Sequence, residues 1–147
     1  MSKYIAESLR ALVREQDEGC CAYCHSPESL SLTPFEIDHI LPLSRGGETE
    51  FHNLCLCCPS CNRYKSARQF AVDLESDLSA PLFHPRQEAW ETHFRWNRDR
   101  LQIIGLTPTG RATVHALVMN RSRLVELRKV WAKLGHAPWA GPSQEGD

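Results

Sequence analysis

Apolar positions at Ile5, Leu9, Leu12 and Val13 share one face of a helix over residues 3–16, which Gly19 can end. The period then changes. Phe35 and Ile37 alternate with Glu36 and Asp38, the pattern of a half-buried strand near residues 35–40. "LSRGGETEF" reads as a turn-rich loop. "NLCLCCPSCNRYKSARQFAVDL" opens as a short apolar segment and predicts a helix after Cys61. Residues 79–88 are Pro-rich and predict irregular chain. "AWETHFRW" and "LQIIGL" predict two strands joined at "NRDR". In "LTPTGRATVHALVMN", Thr107 is placed to cap a helix with Pro108 at its first position. Leu124, Leu127, Trp131 and Leu134 predict a last amphipathic helix, and "GPSQEGD" reads as a disordered tail. The expected class is α+β, without internal repeats. A core with its N-terminal helix occupies residues 1–78. A hairpin-and-helix extension packed on the same domain occupies 79–136, and the tail 137–147.

The chain has 147 residues, of which 41% are apolar, enough for one small core. No stretch approaches the ~18 apolar residues of a membrane span. The charged, amphipathic start is not a signal peptide, so the expected compartment is the cytosol. A net charge of -1 draws the chain to no polyanion globally. The distribution is uneven. Residues 1–50 carry four Lys/Arg against nine Asp/Glu, and residues 101–147 carry six against three. Arg63, Lys65 and Arg68 cluster just after Cys61, a pattern that permits a polyanion partner without demanding one. A solvated charged surface is the plain alternative.

Seven cysteines change the picture. An odd number without a secretory signal argues against a disulfide framework and for metal binding. Cys21-x2-Cys24 and Cys58-x2-Cys61 are the preferred pairs. Each CxxC turn aims two thiolates at one centre, and two turns complete a tetrahedron around Zn²⁺. Four thiolates leave no open coordination position, so the expected role is structural. Cys55-x2-Cys58 is a competing register. Cys20, Cys55 and Cys57 are then spare, as small buried apolar groups or as substitute ligands. His25 and His52 are weaker candidates for a metal. Asp38 and His39 lie inside the loop such a zinc closes, and Asn62 directly follows its last ligand.

"IDHILPLSRGGETEFHNLCLCCPSCNRYK" resembles the motif of the HNH endonucleases. It has Asp-His on a first strand, a Gly-Gly loop, Asn-Leu on a second strand, and CxxC-Asn-x-x-Lys entering a helix. Cys21-x2-Cys24 resembles the feature of their zinc-bearing subclass. The similarity covers about residues 20–66. "LFHPRQEAWETHFRW…GLTPTGRATVHALVMNR" also resembles tails on bacterial HNH proteins, which explains no chemistry.

The resemblance implies a ββα-metal (His-Me finger) core. It implies His39 as the general base, and Asp38 and Asn62 as ligands of one catalytic Mg²⁺ or Mn²⁺. It implies Asn53 as the residue orienting the His39 ring. Where many members have His, this chain has Asn62, and two oxygen donors disfavour tight Zn²⁺ or Ni²⁺ binding there. Successive strand residues point to opposite sides, so His39 can face the attacking water while Asp38 faces the cation. Lys65, Arg45, Arg63 and Arg68 are the expected contacts to a nucleic-acid backbone. Trp90, Phe94, Trp96 and Trp131 are expected as core anchors rather than stacking platforms. The resulting expectation is a DNA-nicking enzyme leaving 5′-phosphate and 3′-hydroxyl ends. It needs no small-molecule cofactor and acts as a monomer or homodimer. A zinc-stapled nucleic-acid-binding module without cleavage is the second reading, and a structural or partner-binding zinc domain the third.

Overall fold

The computed structural model describes residues 4–136. The tail expected at 137–147 lies outside the described residues. The chain forms two compact units. One holds the residues through Gln69 together with His84–Ala89; the other holds Phe70–Phe83 and the residues from Trp90 on. Among the described residues no helix is long and apolar enough to cross a membrane.

The first unit starts with helix α1 (Glu7–Gln16), which has an acid in its first turn and Arg14 in its last, matching the helix dipole. It ends where Glu18 and Gly19 take positive φ values of 54° and 70°. Val13 is fully buried, whereas the expected face member Leu12 is 48% exposed. Strands β1 (Glu36–His39) and β2 (Leu54–Cys57) pair antiparallel, with Asp38 opposite Cys55 and His39 opposite Leu54. Every residue of β2 is buried. Its outer edge is therefore covered rather than left open. The Leu56 carbonyl accepts from the Ala22 N–H at 2.8 Å, and the Leu56 N–H donates to Asp17 Oδ2 at 2.7 Å. Arg86 clamps the same Asp17 with two bonds of 2.8 and 2.9 Å and lies over the Phe51 ring. Helix α2 (Pro59–Lys65) follows, with Pro59 at its first turn and Cys58 as its cap. Two strands and a helix thus form a ββα core beside the cysteine turns, within the expected α+β class.

In the second unit β3 (Phe70–Asp73) pairs with β4 (Leu78–Pro81), and β5 (Phe94–Trp96) with β6 (Ile103–Gly105). Helices α4 (Pro108–Ala116) and α5 (Ser122–Lys133) complete it. Thr107 caps α4 as expected, accepting from the Gly110 N–H at 2.9 Å. Trp90, Phe94, Trp96 and Trp131 are all buried.

Three expectations need correction. The helix after Cys61 stops at Lys65, and Ser66 turns with φ 52°; Phe70–Asp73 and Leu78–Pro81 then form a hairpin where a helix and irregular chain were expected. Its Phe70, Val72 and Leu78 are at least 46% exposed, so no one-sided apolar stripe marks it. "AWETHFRW" is not one strand: Trp90–His93 is a helical turn, α3, and only Phe94–Trp96 pairs. Leu127 on α5 and Leu134 just after it are exposed, and Arg128 is buried instead. Its guanidinium donates to the Leu101 and Met119 carbonyls, both at 2.8 Å, and lies over the Trp96 ring.

Candidate active site and metal centre

The two cysteine turns meet. The Sγ atoms of Cys21, Cys24, Cys58 and Cys61 all lie within 4.8 Å of one another, and all four residues are buried. Cys24 and Cys58 sulfurs are 3.7 Å apart. A tetrahedral ion with Zn–S bonds of about 2.3 Å requires S···S spacings of about 3.8 Å. Local geometry explains the aim. The His25 N–H closes the first turn onto the Cys21 carbonyl at 2.9 Å, and the Cys61 N–H donates to Cys58 Sγ at 3.4 Å. Without a cation, burial pushes the Cys21 thiol well up, and crowding by Cys21 and Cys24 does the same to Cys61. Four such thiols are poorly placed as free acids but fit a structural metal ion such as zinc.

The preferred register therefore holds, and Cys55 lies in β2 outside the cluster. Cys57 is likewise a buried strand residue. Burial, with Glu18 nearby, pushes the Cys20 thiol up to about 11, which makes it inert at neutral pH. His25 and His52 are not in the cluster; His52 instead lies 3.2 Å from Glu48.

Beside this centre, β1 ends in Asp38 and His39. Asp38 turns inward and is 6% exposed. Its Oδ2 accepts from Tyr23 Oη at 3.1 Å and pairs with Lys65 Nζ at 3.2 Å. Burial raises the Asp38 carboxyl, and Lys65 and Tyr23 draw it partly back. Its Oδ1 has no hydrogen-bond partner among the described residues. His39 is half-buried, and its burial lowers the imidazole, with Asp38 opposing, so the ring is neutral at pH 7. Asn62, on α2, donates from Nδ2 to Glu36 Oε1 at 2.7 Å. Only the amide nitrogen can donate to a carboxylate, so this bond sets which way the side chain points and leaves Oδ1 as the free acceptor. Glu36, Asp38, His39 and Asn62 line one open cleft of about 570 Å³ with Pro42, Leu43 and Ser44.

Two expected site residues have other positions. Lys65 is not at the surface. It is 2% exposed, and beyond Asp38 it donates to the Ile40 carbonyl at 3.0 Å and approaches that of His39 at 3.4 Å. It is an internal counter-ion tying α2 to β1, and it cannot reach a nucleic-acid backbone. The Asn53 side chain makes no hydrogen bond to the His39 ring. Its amide donates to the Leu41 and Glu48 carbonyls at 3.0 and 2.9 Å and accepts from the Leu41 N–H at 2.8 Å. It braces the 41–48 loop. Gly47 belongs to this brace: a Cβ there would stand 1.8 Å from the Leu41 carbonyl oxygen. The His39 ring instead meets Thr49, with Nε2 and Oγ1 3.0 Å apart. Arg45, Arg63 and Arg68 are exposed.

Sequence reasoning missed Glu36, Thr49 and Tyr23. The alternation that placed Asp38 also put Glu36 on its side of the strand. Thr49 carried no signal, because only the loop's path brings it to the ring. Tyr23, inside the first CxxC, reaches Asp38 only because the fold lays that turn against the β1–β2 pair, where the Ala22 N–H bonds the Leu56 carbonyl.

Residues 21–68 match the family model described as HNH endonuclease. The match spans the cysteine cluster, the Asp-His strand, Asn53 and Asn62. No curated protein matches the chain.

Proposed function

We propose that the chain is a divalent-metal-dependent endonuclease that hydrolyses DNA phosphodiester bonds, with His39 as general base. One observation carries this reading: Asp38, Asn62 and His39 line one cleft, and neither Asp38 Oδ1 nor Asn62 Oδ1 has a protein partner among the described residues. The donor set is a carboxylate and an amide oxygen, with the Glu36 carboxylate alongside. Hard oxygen donors beside an open cleft fit Mg²⁺ or Mn²⁺ and leave room for water and phosphate.

When bound, that cation supplies charge stabilisation for the phosphorane-like transition state and the departing oxygen. The protein does the rest. His39, its imidazole lowered by burial and so neutral near pH 7, accepts the proton of the attacking water. The new P–O bond forms as the P–O3′ bond breaks, and the departing O3′ takes a proton from solvent water, giving 5′-phosphate and 3′-hydroxyl ends. Asp38 and Asn62 would hold the cation. Lys65 keeps Asp38 in place from behind. Arg45, Arg63 and Arg68 offer positive charge to flanking phosphates. One such site cuts one strand, so a monomer nicks and a double-strand break needs a dimer or a second event. The cysteine cluster suits the reducing cytosol.

The test is incubation of supercoiled plasmid, linear DNA and RNA with Mg²⁺ or Mn²⁺, beside an EDTA control and His39→Ala. Nicking of DNA that needs the cation and falls about 10²–10⁴-fold in His39→Ala is the expected result. His39→Ala should keep its zinc and its melting curve. Binding of DNA in EDTA with no nicking under either cation would replace this reading with the zinc-stapled binding module. Absence of any binding would favour a partner-binding zinc domain.

A further inference from the structure

The His39 ring is held by one nitrogen. Nε2 lies 3.0 Å from Thr49 Oγ1, and Nδ1 has no hydrogen-bond partner among the described residues. Thr49 is itself held in place. The Asn53 amide takes the carbonyls of Leu41 and of Glu48, the residue just before Thr49, so the loop cannot drift from the strand. A neutral imidazole carries its proton on one nitrogen and its basic lone pair on the other, and the partner of one nitrogen decides which. A hydroxyl can donate or accept. If Thr49 donated to Nε2, the proton would sit on Nδ1 and the ring would offer the cleft no lone pair. A ring whose Nε2 is occupied can take a proton from water only at Nδ1.

We propose that Thr49 is the positioning residue of His39: its hydroxyl oxygen accepts the Nε2–H and so presents Nδ1 as the proton acceptor. This assignment rests on the endonuclease reading for its consequence, but not for its test. Asn53 then acts one step further out, holding the loop that carries Thr49. No bond forms or breaks in this step; a tautomer is selected.

The experiment uses the full zinc-loaded chain without Mg²⁺ or Mn²⁺, labelled with ¹⁵N histidine, near pH 8, above the ordinary imidazole pKa of about 6.5. Long-range ¹H–¹⁵N spectra report the tautomer, and His39→Gln assigns the signal by its loss. Wild type should show Nε2–H. Thr49→Val should give mixed tautomers, and Thr49→Ser should restore the wild-type pattern. Thr49→Ala serves if Val does not fold. In the nicking assay, kcat should drop roughly five- to tenfold in Thr49→Val, the worth of about one hydrogen bond, with KM near wild type and recovery in Thr49→Ser. An Nδ1–H tautomer in wild type, or an unchanged tautomer without the hydroxyl, overturns the proposal. If the tautomer results come out as stated while no variant nicks DNA, the endonuclease reading fails and Thr49's hold on the ring stands.

Discussion

Lys65→Met tests the internal ion pair most sharply, because it keeps the side chain's length and removes only its charge and donors. Lys65 Nζ is 3.2 Å from Asp38 Oδ2, with 2% of Lys65 and 6% of Asp38 exposed. At that distance and an effective dielectric of about 20, the attraction is about 5 kcal/mol. Part of that merely offsets the desolvation of both charges. What the variant loses is the compensation of a carboxylate that stays buried, together with the donor to the Ile40 carbonyl. Stranding one member of a buried pair costs about 3–5 kcal/mol. For a chain of this size each kcal/mol moves the melting temperature about 2–4 °C, so a fall on the order of 10 °C is expected. Circular dichroism melts of the zinc-loaded protein measure it. The double variant Lys65→Met/Asp38→Asn removes both charges and should recover at least about 2 kcal/mol relative to Lys65→Met alone. Arg45→Met, at an exposed position, should stay within about 0.5 kcal/mol of wild type. A Lys65→Met penalty no larger than that of Arg45→Met, or a double variant whose losses simply add, would refute the counter-ion assignment.

Other outcomes follow from the same geometry. Cys58→Ser should lose its stoichiometric zinc by metal analysis and unfold the first unit, because the ion's binding energy is folding energy there; a soluble, folded, zinc-free variant would contradict the staple. Gly47→Ala should lower stability by about 2 kcal/mol through the clash with the Leu41 carbonyl. Gly46→Ala, in open space but at φ +89°, should cost about half as much in the same melts. In the second unit, two Arg111 bonds to Asp73 at 2.9 and 3.0 Å hold that carboxyl far below its usual range. A carboxyl held low when folded contributes stability above its unfolded pKa of about 3.9, and that stability is lost as pH falls through its folded value. Asp73→Asn should therefore lower the melting midpoint at pH 7, and nearly as much at pH 4. Tryptophan fluorescence reads this unit, since all four tryptophans lie beyond residue 89. Equal midpoints for variant and wild type at pH 7 would dispose of the argument.

Much of the first unit was legible because its information is local. Paired CxxC turns suit a tetrahedral ion, so four ligands could be preferred from spacing, while the competing Cys55-x2-Cys58 register was set aside only by the fold. The period-two alternation of "FEIDH" marked β1, and Thr107-Pro108 marked a helix start, since caps and periods are properties of consecutive residues. The β3–β4 hairpin was not legible. Its exposed Phe70, Val72 and Leu78 carry no buried stripe, and only pairing between the strands creates it. Lys65 was misplaced for a related reason. In sequence it stands among basic residues beside Arg63; in the fold, α2 turns it inward onto a carboxylate 27 residues earlier.

The chain's own sequence thus determined which atoms could bind a metal and which side chains could do acid–base work, because ligand chemistry and residue spacing are encoded residue by residue. Tertiary structure alone decided which basic groups face out, that Asn53 braces a loop rather than a ring, and that Thr49 meets His39. Those are matters of long-range closure. The positions 39, 49 and 53 become neighbours only when a hairpin, a glycine turn and two cysteine knuckles bring them together.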